Sequence, residues 1–348
     1  MDNINKILHN IGFGNRNLHV FAAALLISAM LMAAPYMQFA HSVTPLSFVK
    51  NPSKPLLLGH TEPDVIKVGD TFYMYYRKDA TSGASISVMS STDGLNWVER
   101  GTVLTKSSSG WDSAEVIAPS VYVHRGTYYL YYEADNAKAP GKRAIGVATA
   151  SSPTGPFTKY SGNPVLKSTL SWEGVTSSGY GIVGTPVIKR ASNGIFYLFY
   201  HGFKDGADRV GVAYSKNPLG PWNKEPNNPI LGLGPSGSWD DAKVAPSSVY
   251  FDGATKVMVF YEGFNGKQEP IINWRIGIAD GTIDSADGRI KSLTRRGAPA
   301  INLGASGSWD DTTVQLPSVI RVVDKLWVYY SGNDGNAFRV GRAVAQLP

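Results

Sequence analysis

The sequence predicts an all-β fold, a five-bladed β-propeller of four-stranded antiparallel blades, on three observations. An apolar strand led by proline recurs five times, beginning at Pro63, Pro119, Pro186, Pro246 and Pro317, so successive units lie 56, 67, 60 and 71 residues apart. An aromatic strand follows each of them, and a strand of Gly-Val-Ala type follows that. Units of this size in a fixed order are a repeat architecture.

The second strands read Phe72 to Tyr76, Tyr128 to Tyr132, Phe196 to Tyr200, Val257 to Tyr261 and Leu326 to Tyr330. Turn pairs such as Gly69-Asp70, Arg125-Gly126, Asn193-Gly194 and Asp252-Gly253 precede most of them, which makes strands one and two hairpins. The third strands are Ile86 to Met89, Ile145 to Ala148, Val210 to Ala213, Ile276 to Ala279 and Val340 to Ala343. Turn sequences such as Ser152-Pro-Thr-Gly-Pro-Phe157 and Asn217-Pro-Leu-Gly-Pro-Trp222 lead on to outer strands around Val103-Leu104, Val165-Leu166 and Ile230-Leu231.

The fifth unit stops just after its third strand, whereas Asn51-Pro-Ser-Lys-Pro-Leu-Leu-Leu58, ahead of the first blade, resembles the outer-strand sequences Asn163-Pro-Val-Leu166 and Asn228-Pro-Ile-Leu231. The N-terminal segment is therefore expected to complete the last blade and leave no unpaired edge. Residues 43–348 are expected to form the propeller domain. Residues 1–42 read as a signal peptide or an N-terminal membrane anchor, because Lys6 and Arg16 precede an apolar run from Val20 to Ala34. Either reading exports the propeller, to a secreted, periplasmic or cell-surface location.

With 43% hydrophobic and 17% charged residues, the 348-residue chain can bury a large core. It has no cysteine, so no disulfide staples it. The formal charge of +6 is spread along the sequence without a basic stripe, which argues against nucleic acid as a partner. No phosphate-binding Gly-rich loop, zinc-type spacing or Gly-x-Ser-x-Gly elbow is present. A monomer is expected, with a membrane contact only through the N-terminal segment.

In an antiparallel hairpin the start of strand one and the end of strand two share an edge. Two sets of positions should therefore converge on one mouth: Glu62, Ala118, Thr185, Ala245 and Leu316, and Arg77, Glu133, His201, Glu262 and Ser331. Asp64 should point the same way as Glu62, since side chains alternate along a strand. The phrase around Trp111-Asp112 recurs at Trp239-Asp240 and Trp309-Asp310, and more loosely at Trp172-Glu173, so the Trp and Asp residues are expected to brace the loops between blades. Departures from the repeat carry more functional information. They are Glu62, Arg77, Glu115, Glu133, Glu173, His201, Lys243 and Glu262, with Phe203, Phe264 and Trp274 as aromatic platforms.

The stretches Glu62-Pro-Asp-Val-Ile-Lys-Val-Gly-Asp-Thr-Phe-Tyr-Met74 and Ile145-Gly-Val-Ala-Thr-Ala-Ser-Ser-Pro-Thr-Gly-Pro-Phe157 resemble the blade-one strand and the third strand and turn of family 43 glycoside hydrolases. The resemblance extends to the related five-bladed families 32, 62, 117 and 130 and covers about residues 51 to 348. It implies a poly- or oligosaccharide substrate. Family 43 places its base in the slot held here by Glu62, whereas its second Asp slot holds Thr185 and its general-acid slot holds Val244. Cleaving a glycosidic bond needs one carboxyl to protonate the leaving oxygen and one to activate water or attack. Glu62 as base and Glu262 as acid fill these roles in this reading, with Glu133 and Glu115 modulating the pair. Arg77, His201, Lys243, Glu173, Asp64 and Phe264 are the expected substrate contacts. Glu133 and Glu262 could instead pair with loop cations such as Lys138 or Lys267. The alternatives are a non-catalytic carbohydrate-binding propeller and a family-130-like phosphorylase, for which Arg77, Lys243 and Arg275 would hold phosphate. Some relatives carry a central calcium, but no motif here requires one, and no cofactor is expected.

Overall fold

The computed structural model describes residues 46–348 apart from 51–53, 80, 82, 176–180 and 267–272. The leader expected over residues 1–42 lies outside the described residues, as does Lys267. Two short N-terminal strands come first, β1 (Val49–Lys50) and β2 (Leu57–Leu58). Blade one is β3 (Thr61–Val68), β4 (Thr71–Lys78), β5 (Ser85–Ser91) and β6 (Val98–Leu104). Blade two is β7 (Glu115–His124), β8 (Thr127–Asn136), β9 (Ala139–Ala150) and β10 (Thr158–Lys159). Blade three is β11 (Ile182–Arg190), β12 (Phe196–Lys204), β13 (Ala207–Ser215) and β14 (Asn223–Lys224). Blade four is β15 (Lys243–Asp252), β16 (Lys256–Phe264), β17 (Arg275–Thr282) and β18 (Leu293–Arg295). Blade five is β19 (Thr313–Val322), β20 (Lys325–Asn333) and β21 (Phe338–Gln346), completed by β1 and β2.

The expected closure is present. β2 pairs with the start of β21 through Leu57–Val340, and β1 pairs with its end through Val49–Val344. Outer edges elsewhere share this two-point attachment. β10 meets β9 at Thr158–Thr149, and a separate bridge joins Ile145 to Leu166; β14 and β18 are supplemented by bridges Val210–Leu231 and Ile276–Ile301. The expected outer strands at 165–166 and 230–231 are thus single bridges, and the longer pairing precedes them. Asn163 and Asn228 explain the interruption. Each side-chain amide bonds both the N–H and the C=O of a third-strand residue, Val147 and Val212 respectively, standing in for a ladder residue.

The core is divided among the junctions between blades. One apolar cluster joins blades three and four around Tyr197, Phe199 and Tyr261, another joins blades one and two around Tyr75 and Tyr132, and the remaining junctions are filled likewise. The aromatic second strands supply most of the largest fully buried side chains, each contributing roughly 1.5–3 kcal/mol of burial energy.

The Trp-Asp phrases are braces, as expected. Trp111, Trp172, Trp239 and Trp309 stack on Tyr132, Tyr200, Tyr261 and Tyr330 at centroid distances of 5.5–5.8 Å. The adjoining acids Asp112, Glu173, Asp240 and Asp310 pair with Lys159, Lys224, Arg295 and Lys50 at 2.6–2.7 Å. The glycine of each third strand is needed here. A Cβ on Gly146, Gly211, Gly277 or Gly341 would come within 2.8 Å of the indole.

A candidate active site at the propeller mouth

Strand-one starts from all five blades converge as the sequence predicts. Glu62, Ala118, Thr185, Pro246 and Leu316 line one narrow axial cavity of about 20 Å³. Every inner strand has a register shift at this point, and four of the five residues before the proline have left-handed backbone: Glu62 (φ 58°), Ala118 (50°), Thr185 (42°) and Leu316 (52°). A non-glycine residue is strained there, and surrounding structure must hold it in place.

Side chains of the preceding blade do the holding. Glu133 Oε2 accepts the Thr185 N–H at 2.8 Å, Glu262 Oε2 accepts the Leu316 N–H at 3.0 Å, and Ser331 Oγ accepts the Glu62 N–H at 3.0 Å. Blade one has Arg77 at the matching position, which cannot accept, and Glu62 Oε2 itself takes the Ala118 N–H at 2.6 Å. Ala245 is the strand-start whose φ is not left-handed. A second belt lies one layer deeper. Asp64 accepts from Val121, Ser120 from Ile188, Ser248 from Val319 and Ser318 from Val65, at 2.7–3.2 Å. Val187 holds the matching place in blade three, so both belts break where blade three meets blade four.

Charge is concentrated around these starts. Arg77 reaches Glu62 at 3.2 Å, Glu115 at 3.6 Å and Asp79 at 2.6 Å. Arg143 binds Glu133, Glu115 at 2.7 Å and Asp135 at 3.8 Å, so Glu115 bridges the two guanidinium groups. Asp208 lies 3.9 Å from His201 and 3.8 Å from Lys243, and His201 Nδ1 shares a hydrogen bond with Thr185 Oγ1. Gly184 permits the close approach. A Cβ there would collide with Glu133 Oε2 and stand 2.7 Å from the His201 ring.

The three buried glutamates differ in ionisation. Burial pushes Glu262 up to about 8, and nearby Asp208, Glu62 and Glu133 act in the same direction; only the Leu316 N–H opposes them. Burial also raises Glu62, against the opposing pull of Arg77 and the Ala118 N–H. Burial would raise Glu133 too, but Arg143, His201 and two hydrogen bonds outweigh it and hold the carboxyl below its usual range. At neutral pH Glu262, which is 8% exposed and has no ion-pair partner among the described residues, therefore keeps its proton.

Of the expected site residues, Glu62, Arg77, Glu115, Glu133, His201, Lys243 and Glu262 come together here. Three are placed otherwise. Glu173 is the brace acid of blade three, 0% exposed and bound by Lys224 and Tyr200, so it has no surface for a sugar. Phe264 is 5% exposed, packed against Trp274 at 5.5 Å, and offers no open ring. Asp64 belongs to the deeper belt, where burial raises its pKa against the pull of Lys189. Glu133 pairs with Arg143 in place of Lys138. Val244, in the family's general-acid slot, is fully buried in the core. Asp64 is already occupied by Val121 and Ser318, and among the described residues no three metal-binding side chains converge.

Sequence reasoning missed Arg143, Asp135, Asp208 and the role of Ser331. The signal was available. The start of strand three shares the mouth edge with the end of strand two, and Arg143 and Asp208 both lie two residues before a third-strand core residue, Ile145 or Val210.

Five closed blades and a carboxylate-lined axial mouth define the class of five-bladed propellers to which glycoside-cleaving enzymes belong. Residues 52–168 match the family model of Glycosyl hydrolases family 43, as the sequence motifs implied. No curated protein matches the chain in sequence. Among solved structures, a thermostable family-43 glycoside hydrolase is similar, with 19% identity, a TM-score of 0.62 and coverage of 84% of this chain and 91% of that one. An endo-arabinase from Bacteroides thetaiotaomicron follows at 16% identity and TM-score 0.59, covering 85% and 96%. A β-1,2-mannobiose phosphorylase from Listeria innocua, in complex with β-1,2-mannobiose, has 13% identity and a TM-score of 0.62, covering 87% and 97%. The chain has the fold of the family-43 glycoside hydrolases, and at these identities the structural likeness is one of fold.

Proposed function

We propose that this chain is an exported glycoside hydrolase that cleaves an oligo- or polysaccharide at the propeller mouth, with Glu262 as general acid and Glu62 as base or nucleophile. The observation that carries this reading is that of three carboxyls gathered in one desolvated mouth, Glu62 and Glu133 each have a guanidinium beside them and Glu262 has none among the described residues. A carboxyl that keeps its proton at neutral pH can donate it to a leaving oxygen; Glu62, although burial raises it as well, has the Arg77 guanidinium beside it to favour its anionic form. Glu133, held ionised by Arg143, supplies charge that keeps Glu262 protonated. His201 and Lys243 offer hydrogen bonds to sugar hydroxyls. The Phe203 ring beneath the Lys243 ammonium, 5.5 Å away, offers an apolar face.

The arginines favour hydrolysis over phosphorolysis, because Arg77 and Arg143 are committed to carboxylates and Arg275 donates to Asn302 and to the Asn273 carbonyl. The test is release of sugar from a panel of aryl arabinosides, xylosides, galactosides and fructans, with and without phosphate. Wild type should hydrolyse at least one, with kcat/KM falling above pH about 8 as Glu262 loses its proton. Glu262→Gln and Glu62→Gln should each lower kcat by about 10³-fold or more while the chain stays folded. Binding of oligosaccharide without any release would refute the enzyme reading, and release of a sugar phosphate only when phosphate is present would replace hydrolysis by phosphorolysis.

A further inference from the structure

We infer that the end of the propeller opposite the mouth is a docking surface for an anionic lipid bilayer. This end is built from the turns between strands one and two. It collects Lys67, Arg125, Arg190, Lys256, Arg321 and Lys325, all exposed, and among the described residues none of them forms an ion pair. Asp70 and Asp252 are exposed acids in these same turns, so the excess is six cations over these two, and the other neighbouring acids are engaged. Asp284 and Asp287 pair with Lys291, Asp93 caps the backbone of its own turn, and Asp324 accepts from Gln346. His124 reports the resulting field. Burial lowers its pKa, and Arg190 and Arg125 lower it further.

Two further observations select a membrane over a soluble anion. Val323, at the tip of the β19–β20 turn, is 84% exposed with φ 58°. A β-branched residue in left-handed backbone is strained, and although Arg321 Nε donates to its carbonyl at 2.9 Å, the Val323 side chain itself is left uncovered. An exposed apolar tip ringed by cations suits the boundary between headgroups and acyl chains. The route of the chain points the same way. β1 runs antiparallel to β21 with Val49 opposite Val344, so Leu46 lies on this side, packed in a cluster with Leu347. The preceding 45 residues, which include the apolar run from Val20 to Ala34, join the propeller at this end. A propeller lying on lipid in this way holds its mouth toward the solvent.

The absence of cysteine permits a direct test with the full chain. Ser192→Cys places a single thiol in the β11–β12 turn, and Ser108→Cys places one in the loop before β7, on the mouth side. Labelling by a water-soluble maleimide is followed with vesicles of phosphatidylglycerol and phosphatidylcholine, or of phosphatidylcholine alone. The thiol of the Ser192→Cys variant should be protected about tenfold on the phosphatidylglycerol vesicles only, and that of the Ser108→Cys variant on neither. High salt, or Arg125→Gln with Arg190→Gln and Arg321→Gln, should abolish the protection. Several outcomes overturn the inference: failure of the full chain to sediment with the anionic vesicles, equal protection on neutral vesicles or at both thiols, or protection that survives the triple substitution. Protection of the turn thiol by soluble polygalacturonate but not by the vesicles would overturn it in favour of an acidic polysaccharide.

Discussion

The two ends of this propeller treat cations in opposite ways. At the mouth Arg77, Arg143 and Lys243 each lie within 4 Å of a carboxylate, and Arg77 and Arg143 each touch three. At the other end six exposed cations have no carboxylate partner among the described residues. One hairpin framework produces both. Where the strand-starts converge, glutamates must reach under the next blade to hold left-handed backbone, and those buried anions call for counter-charges. At the turn end the demand is lighter: Arg190 and Arg321 each donate to one turn carbonyl, at Gly194 and Val323, and no buried anion there calls for a counter-charge from the six.

The largest effect expected from breaking this contrast comes from Arg143→Leu. It strips Glu133 and Glu115 of a shared cation and leaves a buried carboxylate uncompensated, which should cost about 3 kcal/mol in urea unfolding. It should also lower kcat, through Glu133 and then Glu262. A loss under about 1 kcal/mol would mean that the mouth charges are as weakly coupled as surface ones.

A second prediction concerns sign. The folded chain holds a proton on Glu262 up to about pH 8, whereas an unfolded glutamate releases it near its ordinary value. Between these limits the folded state binds the extra proton, so this residue makes stability fall as pH rises. Glu133 acts oppositely. Its folded value is depressed, so its contribution is present above the ordinary carboxyl value and is lost as pH falls through the folded one. Glu262→Gln should therefore gain on wild type by about 4 kcal/mol between pH about 5 and about 9. A difference independent of pH would place the raised proton affinity elsewhere.

How far the sequence reached follows from the kind of information involved. Blade order, closure by the segment before Leu58, the Trp braces and the two rings of mouth positions depend on local patterning and hairpin geometry, and all are legible. Glu173 misleads because a Glu in the Trp-Asp phrase looks like a departure from the repeat, whereas it performs the same bracing with Lys224. Phe264 misleads because strand position does not reveal that Trp274 covers it. Hydrogen bonds from one blade's glutamate to the next blade's backbone join residues more than fifty apart, as with Glu62 and Ala118, and no periodicity announces them. The turn cations look scattered along the chain because one blade separates each from the next, and closing the ring gathers them.

The smallest predicted effect is the most informative about the second end. Arg190 lies 5.4 Å over the Phe196 ring, a contact worth about 0.5–1 kcal/mol at an exposed site. It also sits near enough to His124 and Arg125 to repel positive charge there, so its removal relieves a cost of the same order. Arg190→Gln should therefore change unfolding stability by no more than about 0.5 kcal/mol, with any gain larger at low ionic strength than at high. Urea titrations at two salt concentrations decide it. A loss near ~2 kcal/mol would show that this arginine is built into the fold as Arg143 is, and the distinction between a structurally committed mouth and an uncommitted turn end would fail. A near-zero effect combined with loss of vesicle protection in the triple variant would assign these cations to an external partner, because their ring and carbonyl contacts would then add little to folding.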